Sequence, residues 1–305
     1  MFALFSKFAC GSAAISQDKL ERRQQECVPC FEGIDIRKDY ELKDVLGVPG
    51  TFGEVRKAIH RRSGQEFAVK IMKVSHYLEH SVRTECDILR RISHLNVCHA
   101  ECVYSMKKHV YIVMEKYEGG DLFDVVMSKG GKCTEDFTKK VIRQVLKGLE
   151  YLHQSGIAHC DVKLSNIMFD HGIVKLIDFG VSQIVSEEGL HAEVGSPSFI
   201  APEVLMGSYT EICDMWSLGV VVFILLFGFN PFNPRALPAL QMRARICEAV
   251  LRGFTPIVRK GYGAFFPECI PVSEDARDFI AHLLTLDWKT RMTSSEALQH
   301  PWLAI

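Results

Sequence analysis

Between Ile157 and Gly180 the chain reads IAHCDVKLSNIMFDHGIVKLIDFG, and four polar residues stand there in an order that can do chemistry: Asp161, Lys163, Asn166 and Asp178. Two carboxylates and an amide offer the hard oxygen donors that a divalent cation such as Mg²⁺ prefers, and the cation then shares phosphate oxygens. The lysine adds fixed positive charge. The chemistry this set suits is phosphoryl transfer. The segment also carries its own scaffold. Ile167-Met168-Phe169 is an apolar run, Asp170-His171-Gly172 a turn, and Val174 to Ile177 a second apolar run. That hairpin pattern would gather Asp161, Asn166 and Asp178 at one end.

Other elements must hold this stretch in place. Upstream, Tyr40 to Leu46, Gly53 to His60 and Glu66 to Met72 alternate like three strands, with turns at Val48-Pro49-Gly50 and Arg62-Ser63-Gly64. From His76 to Ile92 the apolar residues Val82, Cys86, Leu89 and Ile92 recur at helical spacing. Val110 to Met114 reads as a buried strand. Phe137 to His153 reads as an amphipathic helix with Phe137, Val141, Val145, Leu149 and Leu152 on one face. Asp214-Met215-Trp216-Ser217-Leu218-Gly219 opens a very apolar helix to Phe227, too short to span a membrane. A β-rich first part and a helical second part predict an α+β protein.

The bulk numbers fit that outline. With 305 residues, 48% of them hydrophobic and 24% charged, the chain has an ordinary globular composition and room for two lobes. A net charge of −1 argues against a dedicated nucleic-acid binder. Eleven cysteines at irregular spacing suit reduced thiols, hence a cytoplasmic setting. Cys27 and Cys30 form a lone CxxC without the second pair a zinc site needs. Met1 to about Gly33 carries no clear pattern, and residues 1–39 read as a flexible or docking extension. MFALFSKFACGSAA is briefly apolar, so secretion or membrane association through residues 1–15 stays open. Phe2 rules out N-myristoylation.

The order H-x-D-x-K-x-x-N, here His159, Asp161, Lys163 and Asn166, followed by Asp178-Phe179-Gly180, resembles the catalytic and metal loops of the eukaryotic protein kinases. The resemblance runs from about Tyr40 to Trp302. The hinge-to-GGDLF stretch and Cys213 to Val220 look like the calcium/calmodulin-dependent and calcium-dependent group. Lys163 points to serine/threonine rather than tyrosine substrates. The resemblance implies a bilobal fold: an N-lobe at about 40–114, a hinge at 115–120 and a C-lobe at 121–302. It implies ATP and Mg²⁺ as cofactors, with Mn²⁺ as an alternative ion.

Site residues follow by position. Leu46, Gly47, Gly50, Phe52, Gly53 and Val55 resemble the glycine-rich phosphate loop. It is one residue longer than G-x-G-x-x-G-x-V and contains Pro49. In Phe67-Ala68-Val69-Lys70, Lys70 would bind the α and β phosphates. Glu85 would hold Lys70, with Glu79 as the competing candidate. Met114 would stand behind the adenine, and the backbone of Glu115 and Tyr117 would bond it. Asp121 would meet the ribose or a basic substrate residue, and Met168 would line the base pocket. Asp161 would orient the substrate hydroxyl and accept its proton, Lys163 would neutralise the moving phosphoryl group, and Asn166 and Asp178 would hold the metal. Ser196 takes a threonine's place in the activation segment, which ends at Ala201-Pro202-Glu203. Asp214 would bond the catalytic-loop backbone, and Arg291 would pair with Glu203.

Cys160 stands where many kinases carry an arginine that pairs with an activation-segment phosphate. Activity independent of such phosphorylation is therefore expected, with Glu187 and Glu188 as fixed negative charge. No EF-hand loop occurs, and the chain stops close after the last family motif. Control is expected from a regulatory protein or from residues 1–39 acting as a docking arm. The expected partners are protein substrates with at most a mild basic preference, since Ser165 and Ile224 replace acidic positions; no nucleic acid or transmembrane segment is expected, and the chain reads as a monomer. The rival readings are a pseudokinase serving as a nucleotide-binding or scaffold module and a small-molecule phosphotransferase.

Overall fold

Alternating apolar and polar residues build a six-stranded sheet from the first third of the chain. The computed structural model describes residues 28–50, 53–75, 79–106, 108–232, 239–254, 266–267 and 270–304. They fall into two compact units, one within 1–120 plus 168–175 and the other within 121–167 plus 176–305. The strands of the first unit are β1 (Cys30–Glu32), β2 (Tyr40–Gly50), β3 (Gly53–His60), β4 (Glu66–Lys73), β5 (Ala100–Met106) and β6 (His109–Glu115), in the order β1-β5-β6-β4-β3-β2. Helix α1 (Glu79–Leu89) buries Val82, Glu85, Ile88 and Leu89. The helical spacing foretold it, and residues 76–78 lie outside the described residues.

Register decides what each sheet face carries. Leu46 pairs with Val55, Val55 with Lys70, and Ala68 with Met114. Cross-strand partners and residues two apart share a face. Leu46, Val55, Ala68, Lys70 and Met114 therefore line one side together. The other side holds a core of Ala58, Phe67, Val69, Val113, Tyr40, Cys102 and Tyr104. Burial there pushes the Cys102 thiol up to about 11.

Two expectations need correction. Residues 28–39 are not loose: β1 pairs in parallel with β5, Cys30 opposite Val103 and Glu32 opposite Ser105. Asp35 then caps a tight turn over Ile36–Lys38. The cause is apolar cover, because Ile36 is buried in the core and Phe31 lies 4.9 Å from Tyr104, ring to ring. Nor is Val48-Pro49-Gly50 a turn. β2 runs on to Gly50, which pairs with Gly53, with a register shift between Leu46 and Gly50. Residues 47–49 stand opposite Glu54 alone, so the added length is absorbed as a bulge, and Gly47 takes a φ of 68° that suits glycine. Pro49 lacks a donor and is tolerated because β2 is an edge strand.

The second unit is mostly helical: α2 (Leu122–Ser128), α3 (Glu135–Gln154), α4 (Pro202–Leu205), α5 (Cys213–Phe227), α6 (Ala239–Arg252), α7 (Glu274–Leu283) and α8 (Ser294–Leu298). Thr134 caps α3, which buries Val141, Val145, Leu149 and Leu152. Every residue of α5 is buried, and it packs against α3 and α7. Gly219 makes that approach possible, since a Cβ there would sit 2.8 Å from the Leu284 side chain. Short strands β7 (Ile157–Ala158) and β10 (Gln183–Ile184) pair with each other; β8 (Ile167–Asp170) and β9 (Ile173–Leu176), paired around the turn at His171 and Gly172, belong to the first unit over 168–175. Among the described residues no helix is long and apolar enough to cross a membrane. The α+β architecture is the one the sequence predicts.

Ile36→Ala should cost about 2–5 kcal/mol, as for other large-to-small changes in a packed core. Hydrogen exchange at β5 and β6 amides would register the loss. Unchanged protection there would show that residues 28–39 merely lie on the sheet.

Candidate active site

In the first unit, Lys70 projects from β4 and Glu85 from α1, and Nζ donates to Glu85 Oε1 at 2.6 Å. Both are buried, at 8% and 2% exposure, so removing either partner would leave an uncompensated charge. Glu79 is exposed and reaches Arg83 instead, which settles the pairing left open between Glu79 and Glu85. Beside Glu85, burial pushes the Cys86 thiol up to about 12. Leu46, Val55, Ala68 and Met114 share Lys70's face. Glu115 ends β6 and pairs with Lys175 at 3.8 Å, and the Lys175 amine sits 5.8 Å over the Tyr117 ring. Burial holds the Tyr117 phenol well above its ordinary value. Gly119 and Gly120 exchange backbone bonds with Phe169, next to Met168, at 3.0 and 2.9 Å. A Cβ on Gly119 would lie 2.7 Å from Phe169. Phe52 lies outside the described residues.

In the second unit, one carboxylate gathers the polar set. Asp161 Oδ2 accepts from Lys163 Nζ at 2.6 Å and from Asn166 Nδ2 at 3.0 Å, while Oδ1 accepts from the Ser196 backbone N–H at 3.0 Å. Lys163 also donates to the Ser196 hydroxyl at 2.9 Å. Asn166 Nδ2 reaches the Asp161 carbonyl as well, at 2.9 Å. These bonds assign the amide orientation and turn Oδ1 of Asn166 to a position without a partner among the described residues. Asp178 follows Ile177, whose N–H donates to the Asn166 carbonyl at 3.0 Å. Asn166 thus stands beside Asp161, and the backbone leading into Asp178 beside Asn166. An amide oxygen and a carboxylate are the donors Mg²⁺ takes, so the residues fit the ion.

The loop's support comes from farther away. Asp214 accepts from the backbone N–H groups of His159 and Cys160, both at 2.8 Å, and lies 3.0 Å from His153 Nε2. His159 is fully buried, accepts at Nδ1 from the Asp161 N–H and donates from Nε2 to the Ile177 carbonyl at 3.0 Å. Its ring lies 5.0 Å from Phe179. Asp121 is committed locally: its Oδ1 caps α2 by accepting from Asp124 N–H at 2.8 Å. Glu203 and Arg291 form a buried bidentate pair, with Nη2 to Oε2 at 2.8 Å, and Arg291 also donates to the Thr285 and Ile212 carbonyls. The sequence reading missed His153, Ser182 (whose hydroxyl donates to the His159 carbonyl at 2.9 Å) and Tyr209. None stands in a local pattern that advertises a role.

A β-rich unit with a closed lysine–glutamate pair and a helical unit with this carboxylate cluster define the protein kinase class. The chain matches the protein kinase domain family over residues 40–303 and belongs to it. It is an ATP-dependent serine/threonine protein kinase by class. Among its relatives, calcium/calmodulin-dependent protein kinase type 1B of Rattus norvegicus is 37% identical over 277 residues, 88% of this chain and 76% of that protein. The Homo sapiens type 1B protein is 36% identical over the same shares. The type 1 protein of Caenorhabditis elegans is 34% identical, over 88% of this chain and 75% of that protein.

Arg291→Ala should lower unfolding free energy by about 3–5 kcal/mol, because Glu203 is left buried and unpaired. The guanidinium lies 5.2 Å from the Trp216 ring, so denaturant melts followed by tryptophan fluorescence would show the shift. A loss under 1 kcal/mol, roughly the range of surface pairs, would mean that Glu203 finds another partner.

Proposed function

We propose that the chain is an active kinase that transfers the ATP γ-phosphate to serine or threonine hydroxyls of proteins without needing phosphorylation of its own activation segment. The observation that carries this reading is the closed Lys70–Glu85 pair at 2.6 Å. That pair must be in place for a kinase to hold the nucleotide phosphates. Leu46, Val55, Ala68, Met114 and Met168 offer apolar surface to the adenine, and the Glu115 and Tyr117 backbones bond its edge. Gly47, Gly50 and Gly53 let backbone N–H groups approach the phosphates. The second oxygen of Asp121 remains for the ribose or for a basic substrate residue.

Asp161 orients the acceptor hydroxyl and takes its proton. Little base strength is needed in a loose transition state, so positioning dominates. Lys163 places its charge beside the same carboxylate and beside the Ser196 hydroxyl, where it meets the transferring group. Asn166 and Asp178 would hold Mg²⁺ or Mn²⁺, which supplies charge neutralisation on the phosphate oxygens. Independence from activation-segment phosphate rests on Cys160, whose thiol offers no cation to a phosphate. We read the chain as cytoplasmic and monomeric. The relatives' names record calcium/calmodulin dependence for those proteins; for this chain we infer control by a regulatory protein that brings its own calcium sites.

The test is transfer of γ-phosphate from Mg·ATP to a serine/threonine peptide by phosphatase-treated chain, with Asp178→Ala as control. Transfer should persist after phosphatase treatment. It should fall below detection in Asp178→Ala, since a metal's charge stabilisation is worth several kcal/mol, on the order of a hundredfold or more in rate. Activity that appears only after the segment is phosphorylated would overturn the independence. No transfer, with Mg·ATP still raising the melting temperature, would favour the pseudokinase, for which the bulge between Leu46 and Gly50 is the supporting feature.

A further inference from the structure

The activation segment, residues 181–203, is fastened without any phosphate. Gln183 and Ile184 of β10 pair with Ala158 and Ile157 of β7, and Val185 N–H donates to the Gly156 carbonyl at 2.8 Å. Leu190 and Tyr209 exchange both backbone bonds, at 2.8 and 3.0 Å. The Tyr209 hydroxyl donates to the Ala192 carbonyl at 2.7 Å and accepts from Gln183 Nε2 at 3.0 Å. One phenol thus ties two points of the segment nine residues apart to the residue that already forms its backbone bridge. Tyr209 is 1% exposed and lies against the Cys160 thiol. Burial holds the phenol above its ordinary value, so it stays a neutral donor. Glu187 and Glu188, the alternative source of charge, are exposed and have no ion pair among the described residues. Glu193 reaches Arg243, but on the surface, where such pairs contribute little.

We propose that Tyr209 is a positioning residue that sets the activation segment for protein substrates, its phenol and the neighbouring Cys160 occupying the ground that a phosphate–arginine pair holds in phosphate-dependent kinases. The inference deepens the proposed function and rests on it for its kinetic arm. Each bond to the phenol is neutral and sheltered. The clamp is therefore always made and scarcely sensitive to salt.

Tyr209→Phe keeps the ring and removes only the hydroxyl. In the phosphatase-treated chain, hydrogen exchange over residues 183–193 should quicken by about five- to thirtyfold, the factor that one or two kcal/mol of lost hydrogen bonding represents. Exchange in α5 should not change. kcat/KM for a protein or peptide substrate should fall by a similar factor, with the KM for ATP unmoved. Gln183→Leu, which removes one partner of the phenol, should give a smaller change of the same kind. Wild-type exchange over 183–193 in Tyr209→Phe would overturn the proposal. So would an equal quickening of α5, which would reduce Tyr209 to a general packing residue. The exchange arm needs no turnover, so a wild-type chain that transfers no phosphate would count against the proposed activity while the clamp result stood by itself.

Discussion

A carboxylate with no solvent exposure, Asp214, fixes the loop on which the catalytic cluster hangs. Burying a charge is costly unless hydrogen bonds replace its water. Asp214 obtains those bonds from two consecutive backbone N–H groups, of His159 and Cys160, each at 2.8 Å. Cys160, the second of them, has φ 63°, which swings the chain beyond its amide onward to Asp161. A non-glycine residue held there costs about 1–3 kcal/mol and persists only where its surroundings over-determine it. The surroundings do so: Asp214 sits in the first turn of α5, which is buried along its whole length. The helix N-terminus also favours a negative charge at that place. The burial of α5 thus dictates the position of Asp214, Asp214 fixes the two amides, and the turn at Cys160 that follows them presents Asp161.

On the proposed reading, what Asp161 does follows from how many donors surround it. Lys163, Asn166 and the Ser196 N–H occupy its oxygens at 2.6 to 3.0 Å. Such a carboxylate is held in one orientation and has little freedom to spare. Orientation is what a loose phosphoryl-transfer transition state needs, since the acceptor's proton leaves late. Gly195 belongs to the same design. A Cβ there would lie 2.5 Å from the Cys160 carbonyl, so glycine is what lets the Ser196 N–H approach Asp161.

Much of this was legible in the chain because local period and catalytic spacing coincide. Alternation in Glu66 to Met72 placed Ala68 and Lys70 on one face, and the spacing in the catalytic-loop stretch put Asn166 within reach of Asp161, where their bond is found. The stripe Val82, Leu89 put Glu85 beside the inward face but left Glu79 as a competitor, and only the bond to Lys70 decides between them. What stayed illegible depends on long-range partners. β1 has three residues and no alternation, and it exists because Val103 and Tyr104 stand ready to pair and pack with Cys30 and Phe31. The bulge at Gly47 answers to the register of β3 rather than to its own sequence. Asp121 looked like a ligand-facing acid, but an acid just before Leu122 is also a helix cap, and the cap is made. Tyr209 bonds residues 17 and 26 positions away, a relation that no window of sequence contains.

Cys160 bears on regulation through the difference between charged and neutral fastenings. A signal can shift a segment between two states only by as much as its interaction differs between them. In phosphate-dependent kinases an activation-segment phosphate gains its leverage from the arginine before the catalytic aspartate. In this chain that position holds a thiol, and the segment is already tied through Tyr209, Leu190 and the β7–β10 pair. On the proposed reading a phosphate there has little differential contact to make and so little power to switch the enzyme. The pair in the first unit is a fastening of the other kind, between charges. The Lys70–Glu85 pair depends on where α1 lies against β4, and both charges are buried, so a small displacement of α1 leaves each without its partner at a cost of about 3–5 kcal/mol. On the proposed reading, a regulatory protein that moved α1 would thus act on a larger energy difference than a phosphate placed beside Cys160, which finds no cation there.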